Sequence, residues 1–144
     1  MTPLARARNV FRTEIAALKA VAAVLDDSFA DAVSVVVAAV SERRKVVVAG
    51  VGKSGNIGRK IAATLSSTGC PAVVLNSVDA LHGDLGVINE GDVVLALSYS
   101  GESEELTHLL PALKRFEVRI IAITGAARST LARHSEVALD CRVP

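Results

Sequence analysis

Apolar residues recur at helical spacing in the first part of the chain. Val10, Ile15, Leu18, Val21 and Leu25 return every three to five positions with alanines between them, which predicts a helix over 4–25. Asp26 and Asp27 interrupt the pattern. Ser28 is the expected N-cap of a second helix over 29–42, apolar around most of its circumference. From residue 45 the rhythm changes to short β-branched runs alternating with helical stretches. Strands are predicted at 45–49, 72–75, 93–97, 118–124 and, more weakly, 137–140. Helices are predicted at 57–67, stopped by Gly69 and Pro71, at 102–116, and as a short piece near 129–133. Residues 76–91 read as irregular.

Continuous apolar strands alternating with helices predict an α/β fold, a doubly wound parallel sheet with helices on both faces. In the flavodoxin-like strand order 2-1-3-4-5, the first and third strands are neighbours, and the crevice at the topological switch point lies at their C-terminal ends. Two turns rich in glycine and serine follow those two strands. One is Gly50-Val51-Gly52-Lys53-Ser54-Gly55; the other is Ser98-Tyr99-Ser100-Gly101-Glu102-Ser103. The two N-terminal helices precede the first strand, so they either pack on their own sheet or form an oligomer contact.

Composition narrows the choice. The chain has 144 residues, 51% of them hydrophobic, so disorder is excluded and one domain is expected. A formal charge of +1 gives no electrostatic case for nucleic acid. The most apolar run, 32–40, falls well short of the roughly 20 residues a membrane-spanning helix needs. Arg6, Arg8, Arg12, Glu14 and Lys19 rule out a secretory signal over the N-terminus. Cys70 and Cys141 form neither a disulfide framework nor a zinc site, so a reduced, cytoplasmic protein is expected.

The glycines at 50, 52 and 55 match G-x-G-x-x-G, but no acid ends the second strand, where Val74-Leu75-Asn76-Ser77 stands, so a dinucleotide site is disfavoured. A phosphate loop of the Walker type fails because Val47 stands where its first glycine is needed. The second turn is more telling. Ser98, Ser100 and Ser103 offer three hydroxyls around Gly101 at the mouth of a helix, an arrangement suited to a compact phosphate monoester. A single serine there would read as a helix cap; three around one glycine point to an anion. His108 and His134 read as structural, and Arg43-Arg44-Lys45 as a solvated charge run.

Three segments, Gly52-Lys53-Ser54-Gly55-Asn56-Ile57-Gly58-Arg59-Lys60, His82-Gly83-Asp84-Leu85-Gly86 and Ser98-Tyr99-Ser100-Gly101-Glu102-Ser103-Glu104-Glu105, resemble the sugar isomerase (SIS) domain, most closely that of bacterial arabinose-5-phosphate isomerases. The resemblance spans nearly the whole chain. It implies a five-stranded parallel sheet and interconversion of ribulose 5-phosphate and arabinose 5-phosphate, feeding synthesis of the lipopolysaccharide sugar Kdo. It also implies a homo-oligomer, a tetramer or else a dimer. It assigns phosphate and sugar binding to Gly52, Ser54, Ser98, Ser100, Gly101 and Ser103, and catalytic work to Lys53, Glu105 and His82. Tyr99 and Asn56 depart from the residues usual in the family, often Asn and His respectively. Many members carry a pair of CBS domains after this one, and none is expected within these 144 residues. The family's domain continues with a second glutamate, a histidine and a final helix, so these 144 residues are expected to lack its C-terminal portion and full activity.

Those residue types suit the reaction. Moving a proton between C1 and C2 needs a base, which a carboxylate such as Glu105 supplies. It needs a cation for the enediolate oxygen, which Lys53 supplies, and a remote phosphate grip to position the reacting carbons. No cofactor is required and no metal site is expected, His82 being the one candidate for an adventitious ion. The competing expectation is a SIS domain that binds a sugar phosphate without turning it over.

Overall fold

The computed structural model describes residues 1–80 and 83–143. Two helices come first, α1 (Pro3–Ala23) and α2 (Asp27–Ser41). The sheet then builds as β1 (Val46–Gly50), α3 (Gly52–Ser67), β2 (Ala72–Asn76), a one-turn helix α4 (Ser77–Ala80), a 3₁₀ turn (Asp84–Val87), β3 (Val93–Leu97), α5 (Glu104–Arg115), β4 (Arg119–Thr124), α6 (Thr130–His134) and β5 (Val137–Asp140). The five strands are all parallel, in the order β2-β1-β3-β4-β5. The expected sheet is therefore the observed one.

Every residue of β1 is buried, because helices cover both faces of the sheet. One face carries α5 and α6: Leu106, Leu109, Leu110, Leu113 and Leu131 pack there against Val47, Ala49, Val94 and Ala122. On the other face α2 lays Ala32, Val35 and Ala39 over Val93 and Ile121, while α3 sets Ala62 over Val46 and Val48. The two N-terminal helices thus divide. α2 covers the sheet, whereas α1 buries no residue.

Boundaries differ from the sequence reading in three informative places. Asp26, not Ser28, caps α2, its carboxylate accepting from the Ser28 N–H at 3.0 Å. α3 begins at Gly52 rather than 57, so Lys53, Ser54 and Gly55 lie in its first turn. Glycine's poor helix propensity hid this start, and close packing on β1 overrides it: a Cβ on Gly58 would meet Val48 at 3.1 Å. Within 76–91, read as irregular, α4 and the 3₁₀ turn are short pieces with too few residues to show a period. No helix among the described residues is long and apolar enough to cross a membrane.

A buried carboxylate fastens the N-terminal ends of the two central strands. Asp92, just before β3, is 1% exposed and accepts from the Lys45 N–H (3.1 Å), the Asn89 N–H (2.8 Å) and Lys45 Nζ (2.5 Å), Lys45 lying just before β1. Burial pushes the Asp92 carboxyl up, but these hydrogen bonds and the Lys45 charge outweigh it and hold the group below its ordinary value. Its stabilising contribution is therefore present above the unfolded Asp value of about 3.9 and is lost as pH falls through the lower folded value. Asp92→Ala should cost about 3 kcal/mol in urea unfolding at pH 7, by stranding two N–H groups and an ammonium, and should flatten the acid limb of the stability curve. An unchanged midpoint would contradict this role.

Candidate functional site

The switch point is built by register. β1 and β3 pair from Val46↔Val93 to Gly50↔Leu97, so both strands end together and their turns leave the sheet side by side. The first turn is compressed: a Cβ on Gly55 would sit 2.9 Å from the Gly50 carbonyl oxygen, so no larger residue fits while α3 starts straight off β1. α3 has no side-chain cap. Its first hydrogen-bonded amide is Gly55, which donates to the Val51 carbonyl, so the N–H groups of Gly52, Lys53 and Ser54 point outward without an intrahelical acceptor. Lys53 is exposed and carries no ion pair among the described residues.

The second turn is more tightly wired. Ser98 is 4% exposed; its Oγ accepts from the Gly101 N–H at 3.1 Å and lies 2.8 Å from Ser103 Oγ. Ser100, exposed, accepts from the Glu102 N–H at 3.2 Å. Ser103 occupies the N-cap position of α5 but makes no capping bond with its side chain; the Leu106 N–H turns back to the Ser103 carbonyl at 3.1 Å, which leaves the Glu104 and Glu105 N–H groups open. Of the three hydroxyls, Ser98 shapes the turn from within, while Ser100 and Ser103 stand closer to its surface. Glu105 is half-buried in the first turn of α5, and its carboxylate has no hydrogen bond or ion pair among the described residues. His82 and Leu81 lie outside the described residues.

The β4–α6 turn forms the floor beneath Gly101. Gly101 adopts φ +65°, and a Cβ there would lie 2.0 Å from Ser129 Oγ. Ser129, 4% exposed, caps α6 by accepting from the Ala132 N–H at 3.3 Å. The Gly101 carbonyl accepts from the Leu131 N–H (3.0 Å), and the Tyr99 carbonyl accepts from the Gly125 N–H (2.9 Å) and the Thr124 hydroxyl (3.2 Å). The Tyr99 ring lies directly against Gly125, and its hydroxyl accepts from the Val143 N–H at 3.4 Å. The sequence reading missed Thr124, Gly125 and Ser129. The available signal was Ser129-Thr130 ahead of a short helix and a glycine ending the fourth strand.

Two open cavities flank the β1–β3 pair. A cleft of about 440 Å³ over β1 and β2 is lined by Lys53, Asn56, Arg59 and Asn76 together with Gly50 and Gly52. Arg59 donates to Asn56 Oδ1 at 3.2 Å, which fixes the amide's orientation in that wall. A second cavity of about 550 Å³, beyond the serine turn, is lined by Ser100, Glu102, Arg128, Ser129 and Arg142. Asn76 ends β2 beside Gly50, where a dinucleotide fold would place its acidic ribose partner. No cluster of metal-ligating side chains occurs among the described residues. The two cysteines are free thiols whose pKa values burial pushes up.

Comparison with known proteins agrees with this fold. The model of the SIS domain matches residues 39–144. The arabinose 5-phosphate isomerase KdsD of Francisella tularensis is 42% identical over 135 residues, covering 94% of this chain and 41% of its own length. That of Escherichia coli K12 is 54% identical over 99 residues, covering 69% of this chain and 30% of its own. The chain thus spans well under half the length of these relatives. The solved structure of an Escherichia coli CFT073 protein in complex with A5P superposes with a TM-score of 0.86 at 36% identity, covering 100% of this chain and 77% of that one.

The contact beneath Gly101 makes a direct prediction. Gly101→Ala should lower stability by about 2–4 kcal/mol, from a methyl driven into Ser129 and a strained positive φ. Denaturant unfolding reads the loss; a variant as stable as the parent would show that the two turns are not packed as described.

Proposed function

The chain belongs to the SIS domain family, and on that premise we propose that it is the isomerase domain of an enzyme interconverting arabinose 5-phosphate and ribulose 5-phosphate through an enediol. The reading extends to the supply of the lipopolysaccharide sugar Kdo, in a cytoplasmic setting with which the two free thiols accord. The observation that supports it best is the shared ending of β1 and β3, which sets a cationic helix mouth beside a serine-lined one. Ser100, Ser103 and the open N–H groups of α5 take the phosphate, with Ser98 holding Gly101 in place. Ser54 and Gly52 face the sugar from α3. Glu105, its carboxylate oxygens unshared with any described residue, carries the proton between C1 and C2. Lys53 stabilises the enediolate oxygen, and His82 serves the sugar hydroxyls or the acid–base steps. No cofactor enters the scheme.

The test is solvent exchange. Ribulose 5-phosphate incubated in D₂O with the natural full-length chain should acquire deuterium on the reacting carbon. Glu105→Gln and Lys53→Met should each lower the rate about 10²–10³-fold, the range for losing a general base or an oxyanion partner. Tight binding without exchange would replace this reading with a regulatory domain that only senses the sugar phosphate; no binding would end both.

We also propose that the protein is a homo-oligomer, a tetramer or else a dimer, assembled through its N-terminal helices. α1 leaves Leu4, Phe11, Ile15 and Leu18 exposed along one face. Beside α2 an apolar groove of about 210 Å³, lined by Val33, Val37, Leu65 and Leu95, is open to solvent. Phe11→Glu combined with Leu18→Glu should convert the assembly to monomer in light scattering while helicity is kept. An unchanged mass would overturn the assignment of this face.

A further inference from the structure

Glu102 poses an electrostatic problem. A carboxylate in the turn proposed to hold a phosphate dianion should repel it. The structure gives the side chain a partner: Glu102 Oε1 accepts from the Thr130 N–H at 2.7 Å, at the first residue of α6. We infer that Glu102 is a positioning residue for the phosphate turn, its carboxylate docked on the first amide of α6 so that the serine turn is held in place and its own charge is engaged there. This rests on the phosphate reading above and adds to it how the turn is kept in binding geometry.

Three observations carry the inference. The tether is double, because the adjacent Gly101 carbonyl accepts from the Leu131 N–H at 3.0 Å, so two consecutive residues of the turn are fastened to two consecutive amides of α6. The same residue also holds the turn from inside, since the Glu102 N–H donates to Ser100 Oγ at 3.2 Å. The charge has somewhere to go: hydrogen bonding from Thr130, with the Arg133 charge on α6 adding to it, holds the Glu102 carboxyl below its usual range. Glu102 thus stays ionised, with one carboxylate oxygen engaged by the first amide of α6.

Removing the bond from either end tests this. Glu102→Ala deletes the acceptor. Thr130→Pro deletes the donor at the first helical position, where proline is well tolerated and where the extended Ser129 before it (ψ 164°) suits proline. Calorimetric titration with arabinose 5-phosphate and, separately, inorganic phosphate should show each variant weakened about tenfold toward both, the worth of one charge-assisted hydrogen bond. The double variant should be no weaker than Thr130→Pro alone. Glu102→Gln keeps an acceptor oxygen and should restore most of the affinity. Circular dichroism and melting temperature establish that each variant is folded, and Thr130→Pro with Glu102→Gln suffices should Glu102→Ala fail to fold. Wild-type affinity in Glu102→Ala or Thr130→Pro, or additive losses in the double variant, would overturn the inference while leaving the phosphate reading intact. No phosphate binding by the wild-type chain would overturn both.

Discussion

The in-register pairing of β1 with β3 is the constraint on which everything else depends. Gly50 lies opposite Leu97, so two turns about fifty positions apart in the chain leave the sheet at one level, roughly one strand spacing apart. A slip of one residue would turn every buried valine of these strands to the opposite face and separate the turns. The pair is fastened at its other end by Asp92, which gathers the Lys45 and Asn89 amides and the Lys45 ammonium. Full burial of β1 between α3 on one face and α5 on the other leaves the strand ends as the place where its chemistry can meet solvent.

The serine turn is held from three sides rather than by its own sequence. Ser98 grips Gly101 from within, Ser129 fills the space a side chain at Gly101 would need, and Glu102 and the Gly101 carbonyl reach to α6. Such a network matters for a phosphate grip. Binding energy taken from a remote, non-reacting group accelerates chemistry only if the grip is rigid enough to place the reacting carbons. The first turn is made differently: compressed glycines bring α3 onto β1, and the open amides of Gly52, Lys53 and Ser54 present its positive end.

Much of this was legible in the residues. Continuous valine-rich runs announced buried parallel strands, and the strand at Val93–Leu97 matches its prediction residue for residue. The two glycine- and serine-bearing turns stood out because glycine and serine mark close backbone approach and open amides. What stayed hidden depends on tertiary contact. α3 starts earlier than its glycines allow by propensity, Asp26 displaces Ser28 as a cap, and Glu102 looks like a first-turn acid of α5 until Thr130 is seen beside it. The unequal roles of the two N-terminal helices were equally beyond periodicity, since both carry apolar residues at helical spacing and only packing separates the covered one from the bare one.

The most direct test is a structure of the chain with arabinose 5-phosphate bound. The account predicts a phosphate within hydrogen-bond distance of Ser100, Ser103 and the α5 amides, the sugar running toward Lys53, and Glu102 still on Thr130. A phosphate lodged in the Lys53–Arg59 cleft, or between Arg128 and Arg142, without touching the serine turn would contradict it.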